Sequence, residues 1–125
     1  MITGIDKSAS LLEKMLDVSS VKHKVIASNI ANVNTPGYKR MEVSFADQLE
    51  KAMKDTSSGK FDAVQPKIVV SKDASVGNAR SDGNTVDIDK EIATLMKNTN
   101  SYNIYSQLLA KKIELTKSAI EGSKA

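Results

Sequence analysis

The two ends of the chain each carry a heptad-like apolar stripe, and this pattern constrains the fold more than any other feature. In residues 5–34, stripe positions are separated alternately by four and three residues, the spacing of a helix face that packs along a partner helix. These positions are Ile5, Ala9, Leu12, Leu16, Ser19, His23, Ile26, Ile30 and Val33. We predict one long helix, with Ser19 and His23 as polar positions that specify register or face a polar neighbour; a functional histidine is the alternative.

The second stripe lies near the other end of the chain and steps by four and three without a break. Its positions are Ile88, Ile92, Leu95, Thr99, Tyr102, Ser106, Leu109, Ile113, Thr116 and Ile120. Thr85 or Asp87 is expected to cap this helix, and Gly122 is expected to end it. The two predicted helices have similar lengths and are expected to pair.

The middle of the chain has weaker patterns. The sequence predicts a short helix at residues 42–54 and a short β-like run at Lys67–Val70. It predicts a mobile loop at residues 72–84, which are rich in Ser, Asp, Gly and Asn. The predicted fold class is therefore mainly α: two long terminal helices pair as a coiled-coil hairpin around a small irregular, β-containing middle. The predicted parts are the N-terminal helix at 1–34, the middle at 35–85 and the C-terminal helix at 86–125.

Composition and charge exclude several classes of protein. The chain has no cysteine and one histidine, His23, which excludes disulfide scaffolds, thiol catalysis and sites built from cysteines or several histidines. No apolar run approaches the roughly 20 residues of a membrane helix, and the first residues lack the pattern of a signal peptide. The net charge of +3 is dispersed along the chain, whereas nucleic-acid-binding proteins cluster basic residues on one face.

No catalytic, cofactor or metal site is predicted. The acidic segment Asp82–Asp89 fails the calcium-loop register, which needs glycine at the sixth position and glutamate at the twelfth. The sequence has no glycine-rich phosphate loop and no nucleophile with an evident base. The chain is therefore predicted not to be an enzyme.

The most specific stretch is 27–40, where the first helix runs into asparagine-rich sequence. Pro36 disfavours helical backbone at Thr35, and Pro36-Gly37 favours a type II turn with positive φ at Gly37. Tyr38 then presents its ring at a fixed position. From the residues alone, this stretch predicts a helix stop and a tight turn.

This stretch also resembles the signature of the bacterial flagellar rod and hook proteins. The matching residues are Asn29, Ala31, Asn32, Thr35, Pro36, Gly37 and Tyr38. A second segment, Asp82–Glu91, resembles the start of the C-terminal helix in the proximal, B-type rod branch. The short middle leaves no room for the inserted domains of hook and distal rod proteins, and the Glu-Met and Tyr-x-Ala-Asn patterns of the C-type and distal rod subunits are missing.

The resemblance implies a structural subunit of the flagellar basal-body rod. Such a subunit polymerises through its terminal helices into the axial drive shaft. The rod spans the periplasm, and export proceeds through the flagellar apparatus without a cleaved signal. The implied partners are copies of itself, other proximal rod subunits, the rod-base adaptor and the export gate, without nucleic acid or direct membrane insertion.

The stripes predict an assembly seam, which neighbouring subunits would bury, formed by their large apolar members. They are Ile5, Leu12, Leu16, Ile26, Ile30, Val33, Ile88, Ile92, Leu95, Tyr102, Leu109, Ile113 and Ile120. A non-polymerising helical-hairpin adaptor or chaperone is the alternative function, because the same heptads also suit such a protein. The turn motif favours the rod subunit, since an adaptor does not require it.

Overall fold

The computed structural model describes residues 2–55, 61, 63–72 and 80–123, with side chains of the terminal helices described from Lys7 to Gly122. Its elements in chain order are α1 (Ile2–Ala31), β1 (Met41–Ser44), α2 (Ala46–Lys54), β2 (Lys67–Val70) and α3 (Ile88–Ser123). The two long helices pack against each other, which confirms the predicted fold class.

The long helices run antiparallel. The end of α1 lies beside the start of α3, where Asn29 donates to Glu91, and the middle of α1 lies farther along α3, where Asn98 Nδ2 donates to the Ser19 carbonyl at 2.8 Å. On α1 the buried side chains are Leu12, Val18, Ser19, Val25, Ile26 and Asn29, and on α3 they are Glu91 and Asn98. The interface therefore mixes an apolar centre with polar side chains of both helices.

The face of α3 that contacts α1 is rotated from the predicted stripe. Glu91 and Asn98 are buried in the interface, whereas Ile92 and Ile113 remain exposed. On α1, Ser19 is buried and His23 is exposed, so of these two polar stripe positions Ser19 is the one buried at the contact with α3. The apolar residues of α3 are distributed around much of its circumference, so periodicity alone does not predict which of its faces packs against α1.

The middle contains a two-stranded antiparallel sheet. β1 pairs with β2 in a register that opposes Met41 to Val70 and Ser44 to Lys67. The predicted β-like run is therefore confirmed, but the helix predicted over 42–54 begins at Ala46, because the preceding residues pair with β2.

Three apolar side chains outside the long helices, Phe61, Val64 and Val86, are buried, and the Phe61 N–H donates to Ser10 Oγ of α1. The Lys22 ammonium of α1 lies 4.8 Å from the centre of the Phe45 ring, and burial lowers the pKa of Lys22. Because the unfolded chain then holds this proton more tightly, stability rises with pH in the alkaline range just below the unfolded pKa of Lys22.

The end of the loop predicted to be mobile is fixed. In the described residues 80–84, Asn84 is fully buried, so that expectation is wrong there; residues 73–79 lie outside the described part of the chain. The N-terminus of α3 is capped by Asp87, whose Oδ1 accepts from the Asp89 N–H at 3.0 Å. Gly122 lies inside α3 and does not end it; a helical glycine costs only about 1 kcal/mol.

Substitutions in the contact between α1 and α3 should lower the free energy of unfolding more than substitutions on the exposed side of α3. Ile26→Ala should lower the free energy of unfolding by about 2–5 kcal/mol, because it removes buried methylene groups and leaves a cavity. Ile113→Ala is the matched control and should change it by roughly 0.5 kcal/mol or less, since this side chain is 62% exposed. Denaturant unfolding measures both, and equal losses would contradict the observed helix pairing.

Candidate functional site

The two segments with the most specific sequences pack against each other. We call them the paired turns, residues 32–40 and 80–86. The Gly37 N–H donates to the Asp82 carbonyl at 2.8 Å, and the Thr85 N–H donates to the Tyr38 carbonyl at 3.1 Å. The paired turns thus connect the end of α1 to the start of α3.

Two glycines allow the backbones of the paired turns to meet. Gly37 has φ +73° and Gly83 has φ +82°, both in the left-handed region that favours glycine. The Tyr38 N–H donates to the Thr35 carbonyl, which closes the four-residue turn. The predicted positive φ at Gly37 is confirmed. A Cβ on Gly83 would lie 3.4 Å from Gly37 Cα, so the two turns approach each other to van der Waals distance.

Asn84 terminates α1 from the opposite segment of the chain. Its Nδ2 donates to the carbonyls of Asn32 and Thr35 at 2.9 and 2.8 Å, and its Oδ1 accepts from the Val86 N–H. Carbonyls that follow the last helical turn need partners when they lie away from water. Asn84 supplies these partners and therefore makes the end of α1 depend on the segment that precedes α3.

Asn29 satisfies both backbone groups of the first residue of β1. Its Nδ2 donates to the Met41 carbonyl at 2.8 Å, and its Oδ1 accepts from the Met41 N–H at 3.0 Å. The Tyr38 hydroxyl also donates to Asn29 Oδ1, at 3.0 Å. The Asn29 side chain is fully buried and takes the place of a neighbouring strand residue.

Glu91 completes this group, which we call the anchor cluster: Asn29, Tyr38, Arg40 and Glu91. The Glu91 side chain is fully buried and forms an ion pair with Arg40 Nε, while Asn29 Nδ2 donates to its second oxygen at 3.3 Å. Arg40 also donates from Nη1 to Ser71 Oγ at 2.9 Å, beside β2. One carboxylate therefore links α1, β1 and the first turn of α3.

The anchor cluster holds structure together and offers little for chemistry. Among the described residues, every buried side-chain nitrogen or oxygen has a hydrogen-bond partner. That same part of the chain contains no group of three or more histidine or acidic side chains placed to hold a metal ion. The hydrogen-bonding capacity of the cluster is used internally, which suits a fixed joint between segments.

The predicted signature residues all lie in or beside the paired turns. Asn29 is buried and Tyr38 is half-buried, while Ala31 and the turn residues Thr35, Pro36 and Gly37 are exposed. Arg40, Asn84 and Glu91 lie among the motifs, but the sequence reasoning assigned them no role. The available sequence signal for a role of Glu91 was its position seven residues before Asn98; both residues lie on the buried face of α3.

The predicted seam residues with described side chains fall into three groups by exposure. Leu12 and Ile26 are buried, and half-buried positions are Leu16, Ile30, Val33, Leu95 and Leu109. The exposed positions are Ile88, Ile92, Tyr102, Ile113 and Ile120. For Ile5 only the helical backbone is described.

The outer faces of the two long helices differ in chemistry. From Lys7 onward, the exposed positions of α1 are Glu13, Asp17, Ser20, His23, Lys24, Ala27, Ser28 and Ala31. The large exposed apolar side chains of α3 are Ile88, Ile92, Met96, Tyr102, Ile104, Leu108, Ile113, Leu115 and Ile120. In the part of the chain with defined structure, no helix combines the length and hydropathy of a membrane span. The apolar surface of α3 is therefore the second candidate site, for a protein partner.

Comparison with known proteins finds a family match at the first of the two candidate sites. Residues 19–39, which contain the end of α1 and all but the last residue of the first paired turn, match the model of the family described as flagella basal body rod protein. Flagellar basal body rod protein FlgB of Bacillus subtilis is 32% identical, with 90% of this chain aligned to 92% of that protein. The FlgB proteins of Borreliella burgdorferi and Aeromonas hydrophila are 30% and 28% identical, over 87% and 98% of this chain and 92% and 98% of their own lengths.

The backbone of the first paired turn can be tested at Gly37. Gly37→Val should lower the free energy of unfolding by about 1–3 kcal/mol, because a β-branched residue is strained at this φ. Gly37→Asn should cost less, since asparagine tolerates the left-handed region. Gly122→Val is the control, because Gly122 is helical with open space around it. Equal losses at Gly37 and Gly122 in denaturant unfolding would contradict the role of the turn.

Proposed function

We propose a structural function for this chain, which belongs to the FlgB family of flagellar basal body rod proteins. The chain is a component of the bacterial flagellar basal body rod, where it assembles with other rod components. More specifically, we propose that it is a subunit of the proximal rod. In this role it polymerises through α1 and α3 into the axial shaft that crosses the periplasm.

The exposed apolar surface of α3 is the observation that carries this proposal. A helix with apolar residues around most of its circumference is normally buried, because single-sided packing leaves the rest in water. Here α1 covers one face, while Met96 and Ile113 remain 63% and 62% exposed. A subunit whose longest helix is only partly covered gains stability when neighbouring subunits cover the remainder.

The anchor cluster supports the same proposal from the inside of the molecule. A subunit that transmits torque needs its two terminal helices held at a fixed position relative to each other. Glu91 and Asn29 of the cluster, together with Asn84 of the paired turns, supply that constraint through hydrogen bonds between segments far apart in sequence. The proposed partners are other copies of this chain, other proximal rod subunits, the adaptor at the base of the rod and the export gate.

The proposal is tested by charge placed on the exposed side of α3. When the Ile113→Asp variant replaces the native chain in a flagellated strain, swimming should be abolished and rods should be missing from isolated basal bodies, because the charge opposes burial between subunits. Ser118→Asp is the matched control at another exposed position of α3 and should preserve both. Immunoblots of purified basal bodies give the location of the chain.

Two outcomes would contradict the proposal. One is the absence of the native chain from purified basal bodies, and the other is normal swimming of the Ile113→Asp strain. Recovery of the native chain in a soluble complex with a different protein would favour the helical-hairpin adaptor.

A further inference from the structure

The two-stranded sheet has one occupied edge and one free edge. On β1, the Met41 N–H and carbonyl both bond to the Asn29 side chain, so these backbone groups point away from β2. The N–H of Arg40, directly before β1, donates to Thr85 Oγ1 at 2.8 Å. Side chains of α1 and of the second paired turn therefore occupy the outer edge of β1 where the strand begins.

The backbone groups of Ile68 and Val70 point away from β1. In an antiparallel pair, residues that exchange hydrogen bonds alternate with residues whose backbone groups face outward. Met41, whose groups face outward, lies opposite Val70, and Val43, two residues farther along, lies opposite Ile68. Two N–H groups and two carbonyls of β2 therefore form a free edge, and none of them bonds to another described residue.

The side chains beside this free edge are apolar. Ile68 and Val70 lie on the same side of the sheet as Met41 and Val43, because opposite residues and residues two apart on a strand share a side. Ile68 and Val70 are 57% and 54% exposed. Natural proteins usually protect a strand edge with proline, charge or a covering segment, because its unpaired groups bind further strands. Neither proline nor charge protects β2 at Ile68 and Val70.

We propose that the free edge of β2 binds an extended segment of a different protein, which adds a third strand to the sheet. The incoming strand has apolar residues opposite Ile68 and Val70 and an acidic residue opposite Lys67. In this mode of recognition, main-chain hydrogen bonds supply affinity and alternate side chains supply specificity. The inference goes beyond the proposed function, because it concerns a different surface and does not require that the chain be part of the rod.

Lys67 indicates the charge of the incoming strand. It is exposed at the first residue of β2, lies opposite Ser44, and takes part in none of the ion pairs among the described residues. Opposite charges on neighbouring strands stabilise the pairing, and like charges destabilise it. An acidic residue opposite Lys67 would therefore strengthen the main-chain contact and select one register of the incoming strand.

A second copy of this chain fits the free edge less well. In the described part of the chain the outer edge of β1 is occupied where that strand begins, so a copy would offer its own β2. Antiparallel pairing of two β2 strands around Val69 would place Ser71, which is buried and has no charge, opposite Lys67. Four residues from each copy would also bury far less surface than the roughly 1,200–2,000 Å² of a stable complex.

Site-specific photo-cross-linking identifies what binds the free edge. A tagged chain with Val70→p-benzoylphenylalanine replaces the native chain in a flagellated strain, and the irradiated cells are lysed under denaturing conditions. Mass spectrometry of the purified adduct should show one segment of a different protein, with apolar residues at alternate positions and an acidic residue among them. An adduct with another copy, with the same chain or with a segment that lacks this pattern would overturn the proposal, as would the absence of any adduct.

Proline distinguishes strand addition from a contact between side chains alone. Added to the cross-linking chain, Ile68→Pro should lower the adduct yield about tenfold, because it removes an outward N–H and its ring obstructs the incoming backbone. Pairing with β1 does not use this N–H, so denaturant unfolding should show a folded chain. Ile68→Val keeps the N–H and is the matched control, with a nearly unchanged yield. An equal yield from both variants would overturn the proposal.

Lys67→Glu tests the acidic residue of the partner and leaves the backbone of β2 intact, so it also decides the proposal if Ile68→Pro does not fold. The adduct yield should fall about fivefold, because like charges then oppose each other across the strands. Lys67→Arg keeps the charge and should preserve the yield; equal yields would overturn the proposal. Because the cross-link forms wherever the chain resides, absence of the chain from basal bodies would contradict only the proposed function.

Discussion

The buried ion pair between Glu91 and Arg40 is the interaction on which the arrangement of this chain depends. A carboxylate removed from water is costly unless a cation and further hydrogen bonds compensate it. Glu91 receives both, since Arg40 pairs with one oxygen and Asn29 donates to the other. Glu91 lies on α3, Arg40 directly precedes β1, and Asn29 lies on α1. The compensation is therefore complete only when all three segments are in place.

This constraint determines which side of each long helix faces outward. With Glu91 and Asn98 directed at α1, the large apolar residues that do not fit the interface remain on the outer side of α3. The outer side of α1 is polar at the same time. The contact between the helices thus combines buried apolar residues of α1 with polar side chains of both helices, while large apolar residues of α3 stay exposed.

The heptad pattern predicted both long helices, and Pro36-Gly37 predicted the turn and its positive φ, because these features depend on local spacing and local sterics. The choice of packing face was not predictable in this way, because Ile92 and Leu95 are both apolar, yet the buried position in this part of α3 is Glu91. The role of Asn84 was also missed. Its partners, the carbonyls of Asn32 and Thr35, lie about fifty residues earlier in the chain, and no local pattern reports such a contact.

A double-mutant cycle of Arg40→Ala and Glu91→Ala, measured by denaturant unfolding, tests the central role of the buried ion pair most directly. Arg40→Ala should lower the free energy of unfolding by about 3–5 kcal/mol, because it leaves the Glu91 carboxylate buried without a cation. Glu91→Ala should cost less, because Arg40 is partly exposed and still lies 3.4 Å from Glu42. The double variant should lose less than the sum of the two, with a coupling of about 1–3 kcal/mol. Additive losses, or a loss below about 1 kcal/mol for Glu91→Ala, would show that the helices and turns are held together by other contacts.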